Sequence, residues 1–237
     1  MNKFNIKLAE KNVSITSKYD YAHKACEGYI SESDVYEISS FVTEEELASE
    51  IDNSETVITK EYAEFICLYR KIAEELPKYN RVVMHGAAIT YNGSGVLFAA
   101  PSGTGKSTHI RLWKSVFRDK VDIINGDKPI IGIEENNIMV YGSPWAGKEN
   151  WHKNRCAPLR AICILTRSPD NFIRKINSQE YLPFLLKQIY LPKNTESLRL
   201  TLELFSQLVS GVPVYVLGCD ISQEAALTAY NGIKESL

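Results

Sequence analysis

The sequence predicts an α/β protein, in which a mixed β-sheet with helices over residues 81–237 follows a small α+β domain over residues 1–80. Three observations predict this class. The first eighty residues combine short alternating segments with helical periodicity, apolar strand-like runs dominate from Arg81 onward, and a glycine-rich loop stands between a strand and a helix. Strand hairpins on both sides of that loop favour a mixed sheet over the repeated βαβ pattern of an all-parallel sheet.

The N-terminal segment begins with strands. Three stretches alternate apolar and polar residues and predict a small antiparallel meander: Phe4–Leu8, Val13–Thr16 and Asp34–Ile38.

Two helices follow in the same segment. Thr43 precedes Glu46 by three residues, which is the spacing of a capping box. A longer helix is predicted within Thr56–Glu75, because Tyr62, Phe65, Ile66, Tyr69 and Ile72 recur at helical spacing. The run from Leu76 to Asn80 contains Pro77, ends this helix and marks the domain boundary.

The second segment is rich in strands. Asn92-Gly93 separates the apolar runs Val82–Thr90 and Gly95–Ala100, and Asn-Gly in that position is the strongest short signal of a hairpin. A second hairpin is predicted about Glu135-Asn136-Asn137. Apolar runs predict further strands at Val121–Asn125, Pro129–Glu134, Ile138–Tyr141, Ala161–Thr166 and Val214–Gly218. Helical periodicity predicts helices at Ser107–Phe117, Gln179–Tyr190, Glu196–Val209 and Gln223–Lys234.

The composition is that of an ordinary globular protein, with 44% hydrophobic and 24% charged residues and a formal net charge of -2. No run of Lys or Arg suggests a nucleic-acid partner. No apolar run resembles a signal peptide or reaches the roughly 18–20 residues that cross a bilayer, so we expect no membrane partner. The five cysteines are scattered, which indicates reduced thiols in a cytoplasmic protein and not a disulfide framework or metal site.

The stretch from Ala100 to Ser107, Ala-Pro-Ser-Gly-Thr-Gly-Lys-Ser, matches the Walker A pattern except that Ala100 replaces the first glycine. Gly103 and Gly105 can adopt the positive φ angles that turn backbone N–H groups toward phosphate oxygens. A helix that begins at Ser107 directs the positive end of its dipole to the same anion.

This loop predicts binding of ATP with Mg²⁺. Lys106 is placed to contact the β- and γ-phosphates, and the Ser107 hydroxyl is placed to ligate Mg²⁺. The alternative is an accidental Gly-Thr-Gly turn, but the preceding strand and the following amphipathic helix provide the context that the motif requires. The predicted nucleotide-binding residues are Ser102, Gly103, Thr104, Gly105, Lys106, Ser107 and Thr108.

Asp127 and His85 are candidate catalytic residues. Asp127 follows the apolar strand Val121–Asn125, where a carboxylate beside a phosphate loop can ligate Mg²⁺ or take a proton from an attacking hydroxyl. The alternative is a turn aspartate after Gly126, and the phosphate loop upstream favours the functional interpretation. His85 lies on a mostly apolar strand, and its neighbours alone leave both a core and a catalytic role open.

The segment Gly142–Arg155 is glycine-bearing, basic and aromatic. Its cations can clamp a nucleotide or an anionic substrate, with Trp145 stacking against it. A solvated loop with its tryptophans in the core is the alternative. Trp145, Lys148 and Arg155 are therefore candidate substrate-binding residues.

In their order along the chain, these motifs resemble the catalytic domain of HPr kinase/phosphorylase, whose P-loop fold is shared by the phosphoenolpyruvate carboxykinases. The resemblance is to the small HPr-kinase-like proteins. It is carried by Met84-His85-Gly86, Asn92-Gly93, Gly95–Ala100, Ser102–Ser107, Gly126-Asp127 and Gly142–Gly147.

The resemblance implies an HPr kinase/carboxykinase-like P-loop fold and a kinase that phosphorylates a serine-type hydroxyl of a peptide, small protein or free amino acid. It implies that Lys106 and Ser107 hold the triphosphate and Mg²⁺, and that His85 is an active-site histidine. It also implies that Asp127, as the second residue of an aspartate pair, is base and metal partner. Gly126 stands where the first aspartate is expected.

An ATP-binding regulatory or assembly module with little turnover is the alternative function. The missing carboxylate and the N-terminal segment of unknown role favour this alternative. A homo-oligomer is one assembly that the sequence allows.

Overall fold

The computed structural model describes residues 1–135 and 137–237. It contains a four-stranded sheet formed by the N-terminal segment and a nine-stranded sheet formed by the rest of the chain. The first sheet consists of β1 (Asn2–Leu8), β2 (Lys11–Ser17), β3 (Ile30–Ser31) and β4 (Ile38–Phe41). The N-terminal helices are α1 (Asp20–Ala25), α2 (Glu44–Asp52) and α3 (Lys60–Glu75).

The first sheet has the strand order β3-β1-β2-β4. The pairs β1–β2 and β1–β3 are antiparallel, but β2 and β4 are parallel, so the predicted antiparallel meander is wrong in part. The third strand was predicted at Asp34–Ile38, whereas β4 begins at Ile38. In β4, the side chains of Ile38 and Ser40 both face the core. The Ser40 hydroxyl donates to the Leu68 carbonyl oxygen at 3.4 Å. Because Ser40 is polar, the sequence shows no apolar alternation at this strand.

The two predicted N-terminal helices are confirmed. The Glu46 amide donates to Thr43 Oγ1 at 3.2 Å and the Thr43 amide donates to Glu46 Oε2 at 2.8 Å, which completes the capping box of α2. Thr59 caps α3, which ends at Glu75, and one face of α3 packs on the first sheet. The sequence signals for these helices are local, and the structure preserves them.

The second sheet has the order β5-β9-β10-β11-β7-β6-β8, and β13 pairs with both β11 and β12. Its strands are β5 (Arg81–Val83), β6 (Ala87–Tyr91), β7 (Ser94–Ala99), β8 (Val121–Asn125), β9 (Ile130–Ile133), β10 (Ile138–Tyr141), β11 (Cys156–Arg167), β12 (Phe172–Ile176) and β13 (Val214–Cys219). β11 runs parallel to β7 and β13, and β10 is antiparallel to it. The predicted mixed sheet is therefore confirmed.

Helices cover both faces of this sheet. They are α4 (Lys106–Phe117), α5 (Leu182–Leu186), α6 (Thr195–Gly211) and α7 (Gln223–Ile233). α4 and α7 share a core with Phe98, whereas α5 and α6 share a core with Leu97, because neighbouring residues of β7 face opposite sides of the sheet. No helix within the described ranges is long and apolar enough to cross a bilayer.

The first predicted hairpin is confirmed, since Asn92 and Gly93 have φ angles of 48° and 87° between antiparallel β6 and β7. β9 and β10 also pair antiparallel, although Asn136 of the predicted turn lies outside the described residues. The predicted strand Val82–Thr90 is interrupted at Met84-His85-Gly86. There the His85 amide donates to the Gln188 carbonyl oxygen at 2.5 Å and the Gly86 amide donates to that of Asp127 at 3.0 Å.

The predicted helix Gln179–Tyr190 is confirmed through Leu186, as a 3₁₀ turn and a short α-helix, and is wrong beyond it. The structure has a 3₁₀ turn at Ser178–Tyr181 and the short helix α5, after which the chain extends beside β5. The Tyr190 amide donates to the Val83 carbonyl oxygen at 2.9 Å, and this pairing with β5 replaces the last part of the predicted helix. The strand β12 was not predicted.

The two segments share one hydrophobic core at their junction. Phe65 and Ile72 of α3 belong to the same cluster as Val83, Ile130 and Trp145 of the second segment. The division into domains at residue 80 stays a prediction, but side chains from both sides of it are buried together.

Candidate active site

The loop between β7 and α4 turns through two glycines with positive φ angles. Gly103 and Gly105 have φ angles of 76° and 124°, and a Cβ atom on either would meet no atom within 4 Å. No side chain caps the first turn of α4 among the described residues, so its first N–H groups are available to a ligand. Ser102 is exposed, and Ser107 and Thr108 lie half-buried in that first turn.

Lys106 lies under this loop and is only 9% exposed. Its Nζ donates to the Ala100 carbonyl oxygen at 2.8 Å and lies 3.3 Å from His85 Nε2. Burial lowers the pKa of Lys106, the charge of Asp127 opposes this change, and Lys128 adds to it. The Lys106 ammonium group therefore lies beside the loop, and Asp127 is the carboxylate whose charge stabilises it.

His85 connects the loop to Asp127. Its Nε2 lies 3.3 Å from Asp127 Oδ1 as well as 3.3 Å from Lys106 Nζ. The interruption between β5 and β6 places it there, because Gln188 and Asp127 hold the backbone of His85 and Gly86. The structure therefore brings the three predicted catalytic residues into one polar chain.

Asp127 is an ionised carboxylate held by two partners. Its Oδ2 accepts from Lys128 Nζ at 2.8 Å, while Oδ1 faces His85. Burial by itself raises the pKa of Asp127, but the hydrogen bond from His85 and the charge of Lys128 outweigh it and lower the pKa to about 2. Asp127 is consequently deprotonated at neutral pH.

Three residues of this site were not predicted: Lys128, Asn125 and Ser143. The fully buried Asn125 accepts from the amides of Asp127 and Lys128 at 2.8 and 2.7 Å and donates to the Ser143 carbonyl oxygen at 2.8 Å. Ser143 Oγ in turn donates to the Lys128 carbonyl oxygen at 2.6 Å. An asparagine at the end of a strand, before Gly-Asp, is a signal for such a side-chain-stabilised turn.

Neighbouring residues pack closely against Gly126 and Gly147. A Cβ atom on Gly126 would lie 3.2 Å from the Ala146 carbonyl oxygen and 3.5 Å from Trp151 Cβ. Gly147, with φ of 69°, packs so closely that its own Cβ would lie 3.0 Å from Asp127 Cβ. The segment after β10 thus packs directly on the Asp127 turn and leaves little room for a second carboxylate.

One cavity lies beside the loop and a second beside Asp127. One, of about 520 Å³, lies between the phosphate loop and the segments that follow β11 and β13. Arg167 closes one wall by donating from Nη2 to the Gly103 carbonyl oxygen at 2.6 Å and from Nε to that of Thr104 at 3.2 Å. The second, of about 280 Å³, is lined by Asp127, Lys128 and a group of aromatic side chains.

Among the predicted substrate-binding residues, Trp145 lines the second cavity and Lys148 is exposed outside both. Arg155 does not reach the site, which corrects its predicted placement. His152 forms an antiparallel β-bridge with Asn125, and the Lys153 amide donates to the Ile124 carbonyl oxygen. The segment after Trp151 therefore runs antiparallel to β8 and away from Asp127. Arg155 instead pairs with Asp122, at the other end of β8.

The comparisons with known proteins give similarities to solved structures alone. No protein-family model matches the chain, and no curated protein matches it. Among solved structures, the Hpr(Ser) kinase/phosphatase from Coxiella burnetii is 12% identical to this chain, with a TM-score of 0.38, and the match covers 65% of this chain and 94% of that one. At that distance, the function has to be inferred from the residues of the site themselves.

Proposed function

We propose that this protein is an ATP- and Mg²⁺-dependent kinase that phosphorylates a serine-type hydroxyl of a peptide, small protein or free amino acid. The observation that carries the proposal is the polar chain from Lys106 through His85 to Asp127. It connects a loop suited to phosphate with an ionised carboxylate that borders a second cavity. A kinase requires this pairing of a phosphate site and an acceptor site.

The residues of the loop fit a triphosphate with its metal ion. The open glycines and the uncapped start of α4 offer N–H groups to phosphate oxygens, and the Ser107 hydroxyl stands in the first turn. Mg²⁺ usually takes only one or two protein ligands beside phosphates and water, and Ser107 and Asp127 are of the type it takes. When bound, the ion neutralises charge on the phosphates.

Asp127 then orients the acceptor. As the acceptor oxygen forms its bond to the γ-phosphorus, the bond from that phosphorus to the β,γ-bridging oxygen breaks, and its electron pair leaves with ADP. Asp127 accepts the hydroxyl proton, and Lys106 stabilises the charge on the transferred group. Because the transition state of phosphoryl transfer is loose, positioning matters more than basicity, which suits a carboxylate with a pKa of about 2.

A binding module with little turnover is the second candidate. It is favoured by Gly126, where neighbouring backbone leaves little room for a second carboxylate, so that Asp127 alone has to serve as base and metal partner. Such a module would bind ATP at the same loop without an acceptor.

Asp127→Asn separates the two candidates. In a kinase, this variant should retain ADP affinity measured by calorimetry but lose transfer of label from γ-labelled ATP to serine peptides, because the amide is a poor proton acceptor. Asp122→Asn is the matched control, since Asp122 lies on the same strand but pairs with Lys153 and Arg155. ATP binding with no acceptor labelled by the unmodified protein would contradict the kinase, whereas normal transfer by Asp127→Asn would contradict the role of Asp127 in it.

A further inference from the structure

We infer that the cavity beside Asp127 is the acceptor site, and that it binds a peptide through an aromatic or large apolar side chain next to the phosphorylated serine. The N-terminal segment would then recognise the acceptor. The assignment of the hydroxyl rests on the proposed function, whereas the preference for an apolar side chain rests on the cavity itself.

The position of the cavity ties the N-terminal segment to the reacting group. Asp127 and Lys128 contribute to its wall together with residues of α1, α3 and the segment after β10. Burial raises the pKa of Tyr62, and the charges of Tyr21 and Asp127 raise it further, so the phenol lies within electrostatic reach of the carboxylate. A peptide in the cavity would therefore lie against α3 while its hydroxyl reaches Asp127.

The wall contains five aromatic rings beside its polar groups, and the rings are what an apolar side chain of the acceptor would contact. The aromatic side chains that line the cavity are Tyr21, Tyr62, Phe65, Tyr69 and Trp145. Their rings pack on one another: Phe65 stacks on Trp145 with centroids 5.5 Å apart, and Tyr21 lies edge-on to Phe65 at 5.4 Å. Such a wall binds another ring or a large aliphatic side chain by burying apolar surface and by edge or face contacts.

The charges of the cavity do not favour an acidic occupant. Two cations line it, and both are paired within the described part of the chain: Lys128 with Asp127 at 2.8 Å, and Arg70 with Glu50. A neutral side chain can enter without separating either ion pair. The volume of about 280 Å³ lies just below the usual range for small-molecule pockets and suits one side chain.

Packing of the core does not account for all of these rings. Phe65 and Trp145 are 5% and 7% exposed and belong to the core, but Tyr21 and Tyr62 remain 42% and 41% exposed at the cavity. Tyr21 and Tyr62 are therefore the side chains whose removal tests acceptor binding with least effect on folding. Tyr36, 45% exposed in the same N-terminal segment, does not line the cavity and is a matched control.

The test uses two serine peptides that differ only in Phe or Ala beside the serine. Calorimetry in the presence of ADP should show that the Phe peptide binds roughly tenfold more tightly to the unmodified protein, as burial of an aromatic side chain predicts. Tyr62→Ala and Tyr21→Ala should reduce this preference several-fold, while Tyr36→Ala and Tyr62→Phe should retain it and all four variants should retain ADP affinity. Equal affinity for the two peptides, or a full preference in Tyr62→Ala and Tyr21→Ala, would overturn the inference.

Transfer of label distinguishes this inference from the proposed function. If the Phe peptide binds preferentially but never receives label, the cavity binds peptides as inferred and the kinase is wrong. If label reaches both peptides at equal rates and affinities, the kinase stands and the cavity assignment is wrong.

Discussion

The loop from Ala100 to Ser107 and the cavity beside Asp127 both border the polar chain of Lys106, His85 and Asp127, but they are constructed differently. The loop is one continuous stretch from Ala100 to Ser107, and what it offers a ligand is mainly backbone N–H groups whose directions depend on two glycine φ angles. The cavity is assembled from α1, α3, the Asp127 turn and the segment after β10, and it offers mainly side chains.

This difference separates a tolerant region from a sensitive one. A change in one wall side chain of the cavity alters its shape locally, because each wall comes from a different element. In the loop, a single lysine and two glycine conformations determine what a bound phosphate would contact. Within the cavity wall, Asn125 holds the Asp127 turn against Ser143 after β10. The following variants test this contrast.

Lys106→Ala should have the largest effect. It removes the cation of the loop and one neighbour of His85, and the loss of one such transition-state contact slows transfer by about 100-fold or more. Steady-state transfer from γ-labelled ATP measures this effect, with ADP affinity expected to fall as well. Lys114→Ala is the control on the same helix, because Lys114 Nζ donates to the Val121 carbonyl oxygen away from the loop. Unchanged transfer in a folded Lys106→Ala protein would refute the assignment of the loop.

Asn125→Ala should destabilise the Asp127 turn, which belongs to the cavity wall. It leaves the amides of Asp127 and Lys128 and the Ser143 carbonyl without their partner in a buried setting, which should lower the free energy of unfolding by about 3 kcal/mol. Denaturant unfolding measures this loss. Asn53→Ala, at an exposed helix end, should change it by less than about 1 kcal/mol. Equal losses in the two variants would show that Asn125 does not hold the turn.

The contrast also explains what the sequence could predict. The Asn92-Gly93 hairpin, the capping box of α2 and the glycine-rich stretch between a strand and a helix depend on residues close together in the chain, and the structure has them where they were predicted. The aromatic residues of α3 were predicted correctly as one helical face. That this face also borders Asp127 depends on tertiary packing, which periodicity does not show.

The errors have the same origin. β4 was misplaced because Ser40, and not an apolar residue, faces the core. Only the last part of the predicted helix Gln179–Tyr190 is replaced, by pairing of Gln188–Tyr190 with residues 83–85. Arg155 was grouped with the site because cations were counted along a segment, although the direction of that segment beside β8 carries Arg155 toward Asp122.

Arg167→Ala should affect the phosphate loop and leave the cavity unchanged. Its guanidinium donates to the Gly103 and Thr104 carbonyl oxygens, but it is exposed, so we expect ADP affinity to fall by only about three- to tenfold. Calorimetry measures the affinity for ADP and, separately, the affinity for the Phe peptide. Arg174→Ala, an exposed arginine that pairs with Glu180, is the control. A comparable fall in peptide affinity would show that the two regions are not independent.

Arg155→Ala should have the smallest effect. Arg155 and Lys153 both pair with Asp122, and both side chains are more than half exposed, so removal of one leaves the other in place and costs less than about 1 kcal/mol of stability. Since the strand β8 separates Asp122 from Asp127, transfer and ADP affinity should stay within about twofold of the unmodified protein, inside the scatter of surface substitutions. Transfer assays at low and high salt provide the measurement, because an ionic contact with an acceptor would weaken as salt rises. A salt-dependent loss of tenfold or more in Arg155→Ala would mean that the segment after Trp151 leaves β8 and closes over the acceptor, so that the cavity seen here would be only part of the site.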